Sequence, residues 1–138
     1  MTFDGGYRRG RHVVSALPVH LVFVTQYRHG VLDGAMLSCC EAAMRKVCAD
    51  FGAGLREFTG EAGHARLLVD YPPKVAVSAL VNSLKSVSAR GLRAEFTGRV
   101  NRASMRGHFW SPSYFAASCG GAPLSIIRQY IERQQRPA

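Results

Sequence analysis

Lysine is scarce in this chain of 138 residues: of its 18 cationic side chains 15 are arginine, against only nine acidic ones, for a net charge of +9. Guanidinium groups grip phosphate through two parallel hydrogen bonds, so the excess points to a phosphate-rich partner such as nucleic acid. A lysine-rich amphipathic stretch suited to a membrane surface is missing, and so is any apolar run of about 18 residues that could span a bilayer. Residues 1–11 are polar and glycine-rich without a signal-peptide core, which sets the expectation of a cytoplasmic protein, associated with the nucleoid when bound to DNA. The four cysteines, Cys39, Cys40, Cys48 and Cys119, form no C-x-x-C pair and have no histidine at zinc-finger spacing. A disulfide framework and a zinc knuckle are thereby excluded as readings, and the cysteines are expected in the core. No repeat or linker divides the sequence. A flexible basic arm over 1–12, carrying Arg8-Arg9-Gly10-Arg11-His12, and a single domain over 13–138 are expected.

Hydrophobic periodicity orders the rest. The spacing predicts a central strand over 13–25, whose Val19, Leu21, Val22, Phe23 and Val24 are apolar on both faces, with His20 read as a satisfied core residue. A polar turn over 26–34 exposes Tyr27, Arg28 and His29. Met36, Cys40, Met44, Val47 and Phe51 recur at helical steps and predict a helix over 35–51. Two strands follow, over 55–59 and 64–71, joined through Gly60-Glu61-Ala62-Gly63, and Pro72-Pro73 stops the second because proline cannot donate to a ladder. Val77, Leu80, Val81, Leu84, Val87 and Leu92 form one face of a second helix, which carries Lys85, Arg90 and Arg93 on its polar side. A loop over 98–107 holds Arg99, Arg102 and Arg106. A fourth strand is expected over 109–117, with aromatic residues suited either to stacking on bases or to the core, and a last helix over 124–135. The resulting order is that of an α+β, ferredoxin-like split β-α-β fold: an antiparallel sheet with helices on one face, plus a C-terminal helix.

Two polar residues interrupt the third strand at its start. His64 and Arg66 lie two positions apart and therefore face the same side of the sheet, a pattern shared by solvated strand entries and by the floors of sites. On the last helix, Leu124, Ile127 and Ile131 form the buried stripe; Tyr130 sits at its margin, and Gln134 projects one turn further along.

Several blocks in this order resemble the single-tyrosine HUH transposases, which move single-stranded insertion sequences. They are His64-Ala65-Arg66-Leu67-Leu68-Val69, Tyr71-Pro72-Pro73-Lys74, Leu80-Val81-Asn82-Ser83-Leu84-Lys85, Trp110-Ser111-Pro112-Ser113-Tyr114-Phe115, Gly120-Gly121-Ala122-Pro123-Leu124 and Arg128-Gln129-Tyr130-Ile131-Glu132. The resemblance implies that Tyr130 attacks a DNA phosphate to leave a 5′-phosphotyrosine and a free 3′-hydroxyl. It also implies a divalent ion, Mg2+ or Mn2+, held by two histidines and assisted by Gln134. Its implied partners are hairpin-bearing single-stranded DNA and a second copy of the chain, the last helices being exchanged through a Gly120-Gly121 hinge. Arg28, Lys85, Arg90, Arg93, Arg99, Arg102 and Arg106 are the candidate DNA contacts.

The sequence departs from that pattern where it matters most. His64 fills the first ligand position, but Arg66 stands at the second, and a guanidinium has no lone pair to offer a metal. Two unit charges 4 Å apart repel by about 4 kcal/mol at an effective dielectric of 20, and a divalent ion roughly doubles that. Metal binding is expected to be weakened or lost, with Glu61 as a compensating ligand. Three readings stay open: a DNA-nicking transposase with an impaired centre, a catalytically inactive or domesticated DNA-binding protein of the same fold, and an RNA-binding module. The last lacks the aromatic strand motifs of RNA-recognition domains.

Overall fold

The computed structural model describes residues 3–4, 7–9, 14–15, 17–102, 108–118 and 124–134. Three short strands, β1 (Phe3–Asp4), β2 (Tyr7–Arg9) and β3 (Val14–Ser15), pair antiparallel in a small sheet of their own, across the stretch where a flexible arm is expected. The strand expected over 13–25 is thus divided. Its main part, β4 (Leu17–Val24), carries the apolar run, and Val19 and 21–24 are all buried.

Helix α1 (Gly34–Asp50) is opened by Asp33, whose carboxylate accepts the Met36 amide at 2.9 Å. Strands β5 (Gly54–Glu61) and β6 (His64–Tyr71) form the expected hairpin, and α2 (Val77–Glu95) follows the proline pair. The segment 98–107 departs from a plain loop, because its beginning lies in a short helix, α3 (Thr97–Arg102). One buried side chain, Val100, anchors that turn, and a single apolar residue leaves no period to read in sequence.

The last strand, β7 (Phe115–Ser118), is shorter than the 109–117 expected. Trp110 makes only an isolated bridge to Thr25. Pro112 has no N–H to continue a ladder, and Phe109 and Trp110 turn into the core instead. There the Trp110 indole N–H donates to Ser88 Oγ at 3.0 Å. Helix α4 (Leu124–Arg133) ends the described chain.

The main sheet has the order β5-β6-β4-β7, and every pair in it is antiparallel, the ferredoxin-like arrangement that the order of elements implies. Strand alternation divides its side chains between two faces. Leu21, Phe23, Ala65, Leu67 and Val69 pack with Met36, Met44, Leu80 and Leu84 of α1 and α2 in the large core. On the other face Val22 and Val24 are covered by α4 through Ile127, with Phe115, Tyr130 and Ile131 beside them.

Asp70 strains this arrangement. It is 0% exposed, it stands opposite Pro18, and neither carboxylate oxygen has a hydrogen-bond partner among the described residues. Arg56 Nε lies 3.4 Å from Oδ2. Burial pushes the Asp70 carboxyl above its ordinary value, and the Arg56 charge only partly offsets this. A raised folded-state pKa means that the native protein binds this proton more tightly than the unfolded chain. The associated stability is complete below the unfolded value of 3.8 and falls as pH rises through the folded one. Asp70→Asn is therefore expected to stabilise the protein at pH 7 by about 0.5–2 kcal/mol, the usual size of a single stabilising change. The gain should shrink as pH falls toward 4. Urea unfolding at the two pH values checks this, and a variant less stable than the parent at pH 7 contradicts it.

Candidate active site

The period-two alternation that sends Ala65, Leu67 and Val69 into the core turns His64, Arg66 and Leu68 to the opposite face of β6. Register then fixes their neighbours. Glu61 lies opposite His64 and Thr59 opposite Arg66 on β5, while Val24 and Val22 occupy the same two positions on β4. Between α4 and this end of the hairpin lies a cavity of about 470 Å³, where Arg28, Glu61, His64 and Arg66 meet Arg128 and Glu132 of α4. A second cavity of about 210 Å³ adjoins it, sharing Thr59, Arg66 and Ile127. His20 lines that second cavity and is half-buried, which corrects its reading as a core residue. It shares a face with Val22 and Val24, but the cover that buries them leaves His20 partly open.

The loop after β4 is fixed to the hairpin turn by backbone bonds. The buried Thr25 donates its N–H to the Gly63 carbonyl at 3.0 Å, and Leu32 N–H donates to the Ala62 carbonyl at 3.0 Å. The Thr25 hydroxyl is 2.7 Å from the His29 carbonyl. Within this loop Tyr27 and Arg28 both have φ of 56°. Each such left-handed, non-glycine residue costs about 1–2 kcal/mol, which the surrounding bonds must offset. Gly63 leaves room for the result: a Cβ there would stand 2.9 Å from Arg28 Cγ and 3.3 Å from its carbonyl oxygen. Arg28, which the sequence placed in an unspecific exposed turn, thus lies against the residue preceding His64.

Electrostatics around His64 favour a neutral imidazole. Burial lowers its pKa most; Glu61 opposes that, while Arg66 and Arg28 reinforce it. The donors do not fit a resident divalent ion. One imidazole and two exposed carboxylates, Glu61 and Glu132, line the cavity, but two guanidiniums lie near the same imidazole, and no three His, Cys, Asp or Glu side chains cluster as a metal site among the described residues.

Gln134 does not join them. Its Oε1 accepts the Ser111 hydroxyl at 2.9 Å and the Ser113 hydroxyl at 3.3 Å. Tyr130 faces the same segment. Its phenol is 2.9 Å from Ser113 Oγ, and its ring centroid is 5.6 Å from that of Phe115. Burial raises the phenol above its ordinary value, and the Ser113 bond pulls weakly the other way. From α4 the larger cavity is lined by Ile127, Arg128, Ile131 and Glu132, and Tyr130 and Gln134 are not among its lining residues.

Lys85, a candidate DNA contact, donates its amine to the Ser111 carbonyl at 2.8 Å and the Pro112 carbonyl at 3.1 Å and so anchors the segment that holds Tyr130. Ser113 as the partner of Tyr130 and Ser111 as a partner of Gln134 were not foreseen, although both stand inside the block Trp110-Ser111-Pro112-Ser113-Tyr114. Arg90 and Arg93 belong to α2, on the opposite side of the sheet from the cavity. Arg99, expected in a mobile loop, pairs with Asp33 at 2.8 Å. Arg102 ends α3, and Arg106 lies outside the described residues, as do the Gly120-Gly121 hinge and Cys119.

Known proteins share both sequence and fold with this chain. It is 28% identical to the ISDra2 transposase TnpA of Deinococcus radiodurans over 127 residues, covering 92% of this chain and 90% of the relative. It is also 28% identical to the transposase for insertion sequence element IS200 of Salmonella typhimurium over 115 residues, covering 83% and 74%. A crystal structure of a protein assigned as a transposase from Deinococcus radiodurans superposes with a TM-score of 0.82 at 27% identity, covering 94% of this chain and 99% of that one. A REP-associated tyrosine transposase bound to a REP hairpin shares the fold alone, with a TM-score of 0.52 at 11% identity, covering 91% of this chain and 68% of that one. The profile of the family described as Transposase IS200 like matches residues 13–134, nearly the whole of the sheet and its helices, and the chain belongs to that family.

Proposed function

We propose that this transposase-family chain acts on single-stranded, hairpin-bearing DNA ends, with Tyr130 as the nucleophile of cleavage and strand transfer. The observation that carries the reading is the placement of α4. It lays Tyr130 and Gln134, one turn apart, on the open face of the sheet beside an arginine-lined cavity. In the proposed step Tyr130 Oη bonds to phosphorus as the bond from phosphorus to O3′ breaks. The phenol proton passes to solvent, O3′ takes up a proton, and the 5′ phosphate remains on the tyrosine.

Two features of the chain slow that step. A phenol with an ordinary pKa near 10 is ionised about once in a thousand at pH 7, and burial moves Tyr130 further from ionisation. The phenol also faces Ser113 and not the cavity. Exchange of α4 between two copies of the chain would bring one copy's Tyr130 to the other's His64 cavity, and a homodimer is proposed on that ground. The guanidinium at the second ligand position favours a second reading, in which the chain binds hairpin DNA without cutting it. Arg66 then supplies a fixed positive charge but cannot itself generate the phenolate.

Replacing Arg66 by histidine rebuilds a same-face histidine pair. With Mn2+ and a hairpin-bearing single strand, Arg66→His is expected to form at least about tenfold more covalent protein–DNA adduct than the parent, the lower end of the usual cost of a disturbed metal site. That adduct, resolved on a denaturing gel, should vanish when Tyr130→Phe is added. Equal yields from parent and Arg66→His contradict the role given to Arg66, and an adduct that survives Tyr130→Phe contradicts the nucleophile. In the Arg66→His background, mixing chains carrying His64→Ala with chains carrying Tyr130→Phe should restore the adduct if α4 is exchanged. Failure of the mixture, with both chains folded, contradicts the exchange.

A further inference from the structure

We infer that the cavity beside His64 is a metal-free phosphate clamp, in which Arg28 and Arg66 grip one internal phosphodiester of a DNA strand and Arg128 faces them from α4. The inference rests on the reading of single-stranded DNA as the partner. Three guanidiniums line this cavity against two carboxylates, Glu61 and Glu132. None of the three is in an ion pair among the described residues, whereas Arg45, Arg56 and Arg99 each pair with a carboxylate. At about 470 Å³ the space is of the size that holds small polar ligands.

Arg28 is the residue that makes this a built site. Its backbone is left-handed, its loop is bonded to the 62–63 turn, and its stem passes over Gly63, where any side chain would displace it. Arg66 arrives from the floor, in register with Thr59 and Val22. Two planar forks from different elements suit a tetrahedral anion, which can accept a pair of bonds from each. Glu61 and Glu132 line the same space and repel an anion, but the three guanidiniums outnumber them. A cation-lined cavity of this kind needs no divalent ion to hold the strand, so binding survives chelation.

Fluorescence anisotropy with a hairpin-bearing single-stranded oligonucleotide in excess EDTA tests the clamp. The parent should bind equally with and without EDTA. Arg28→Met and Arg66→Met should each weaken binding by about tenfold or more, the usual effect of losing a charge-assisted bond, and reduce the salt slope by about one. Gly63→Ala, which leaves every charge in place, should reproduce the Arg28→Met loss. Lys46→Met, on the exposed side of α1, should leave affinity within about twofold, as for a surface change away from the site. Oligonucleotides with and without a 5′ phosphate should bind alike, and a requirement for the terminal phosphate overturns the assignment to an internal phosphodiester. Loss of parent binding in EDTA, or unchanged binding by folded Arg28→Met and Arg66→Met, overturns the clamp while leaving the DNA partner in place. A parent that binds no hairpin-bearing strand under any condition overturns the reading of the partner itself.

Discussion

The alternation of β6, fixed in register by β4, is the constraint on which the rest of the molecule depends. Eight consecutive pairs, from Leu17 with Tyr71 to Val24 with His64, join these two strands in the middle of the sheet. A slip of one residue would send Ala65, Leu67 and Val69 out of the core and bring His64 and Arg66 into it. Burying those polar groups without partners would cost more than the sheet could recover. The core face therefore specifies the site face: wherever Leu67 is buried, Arg66 must look out beneath α4.

Charge decides what that face can hold. The position two residues after His64 lies where a second ligand would share the first one's direction, and a guanidinium there replaces an electron pair with a fixed positive charge. Arg28, placed beside His64 by a strained loop, adds a second. Burial depresses the imidazole most, the two guanidiniums add to that against Glu61, and their charge turns the cavity from one that suits cations toward one that suits phosphate. Tyr130 is kept out of the same cavity by a different network. Lys85 fixes the backbone at 111–112, and the hydroxyls of Ser111 and Ser113 engage Gln134 and Tyr130. In the proposed reaction, binding and attack would be served by separate parts of one subunit, and movement or exchange of α4 is what would unite them.

Much of this was legible from residue order because periodicity reports packing. Helices α1 and α2 and the β5–β6 hairpin follow directly from steps of three and four, from alternation, and from the Pro72-Pro73 stop. The shared face of His64 and Arg66 followed from their two-residue spacing, whereas the role proposed for Tyr130 came from the motif blocks. What periodicity does not encode was missed. Val100 pins a helical turn with one side chain, Pro112 cuts the last strand short, and His20 lies on the site face of a strand that reads as apolar throughout. The position of Arg28 was hidden for a different reason. It depends on hydrogen bonds between residues 25–32 and 62–63, far apart in sequence, and on the space left by one glycine. Lys85 showed its charge in the sequence but not the two carbonyls that occupy it.

Isothermal titration of the unaltered chain with Mn2+ alone tests the charge argument most directly, since it needs neither DNA nor turnover. With Arg66 and Arg28 flanking the only imidazole that lines the larger cavity among the described residues, only heats of dilution are predicted. A saturable one-site isotherm that disappears in His64→Ala would show a resident metal centre and contradict the exclusion of the ion by the two arginines.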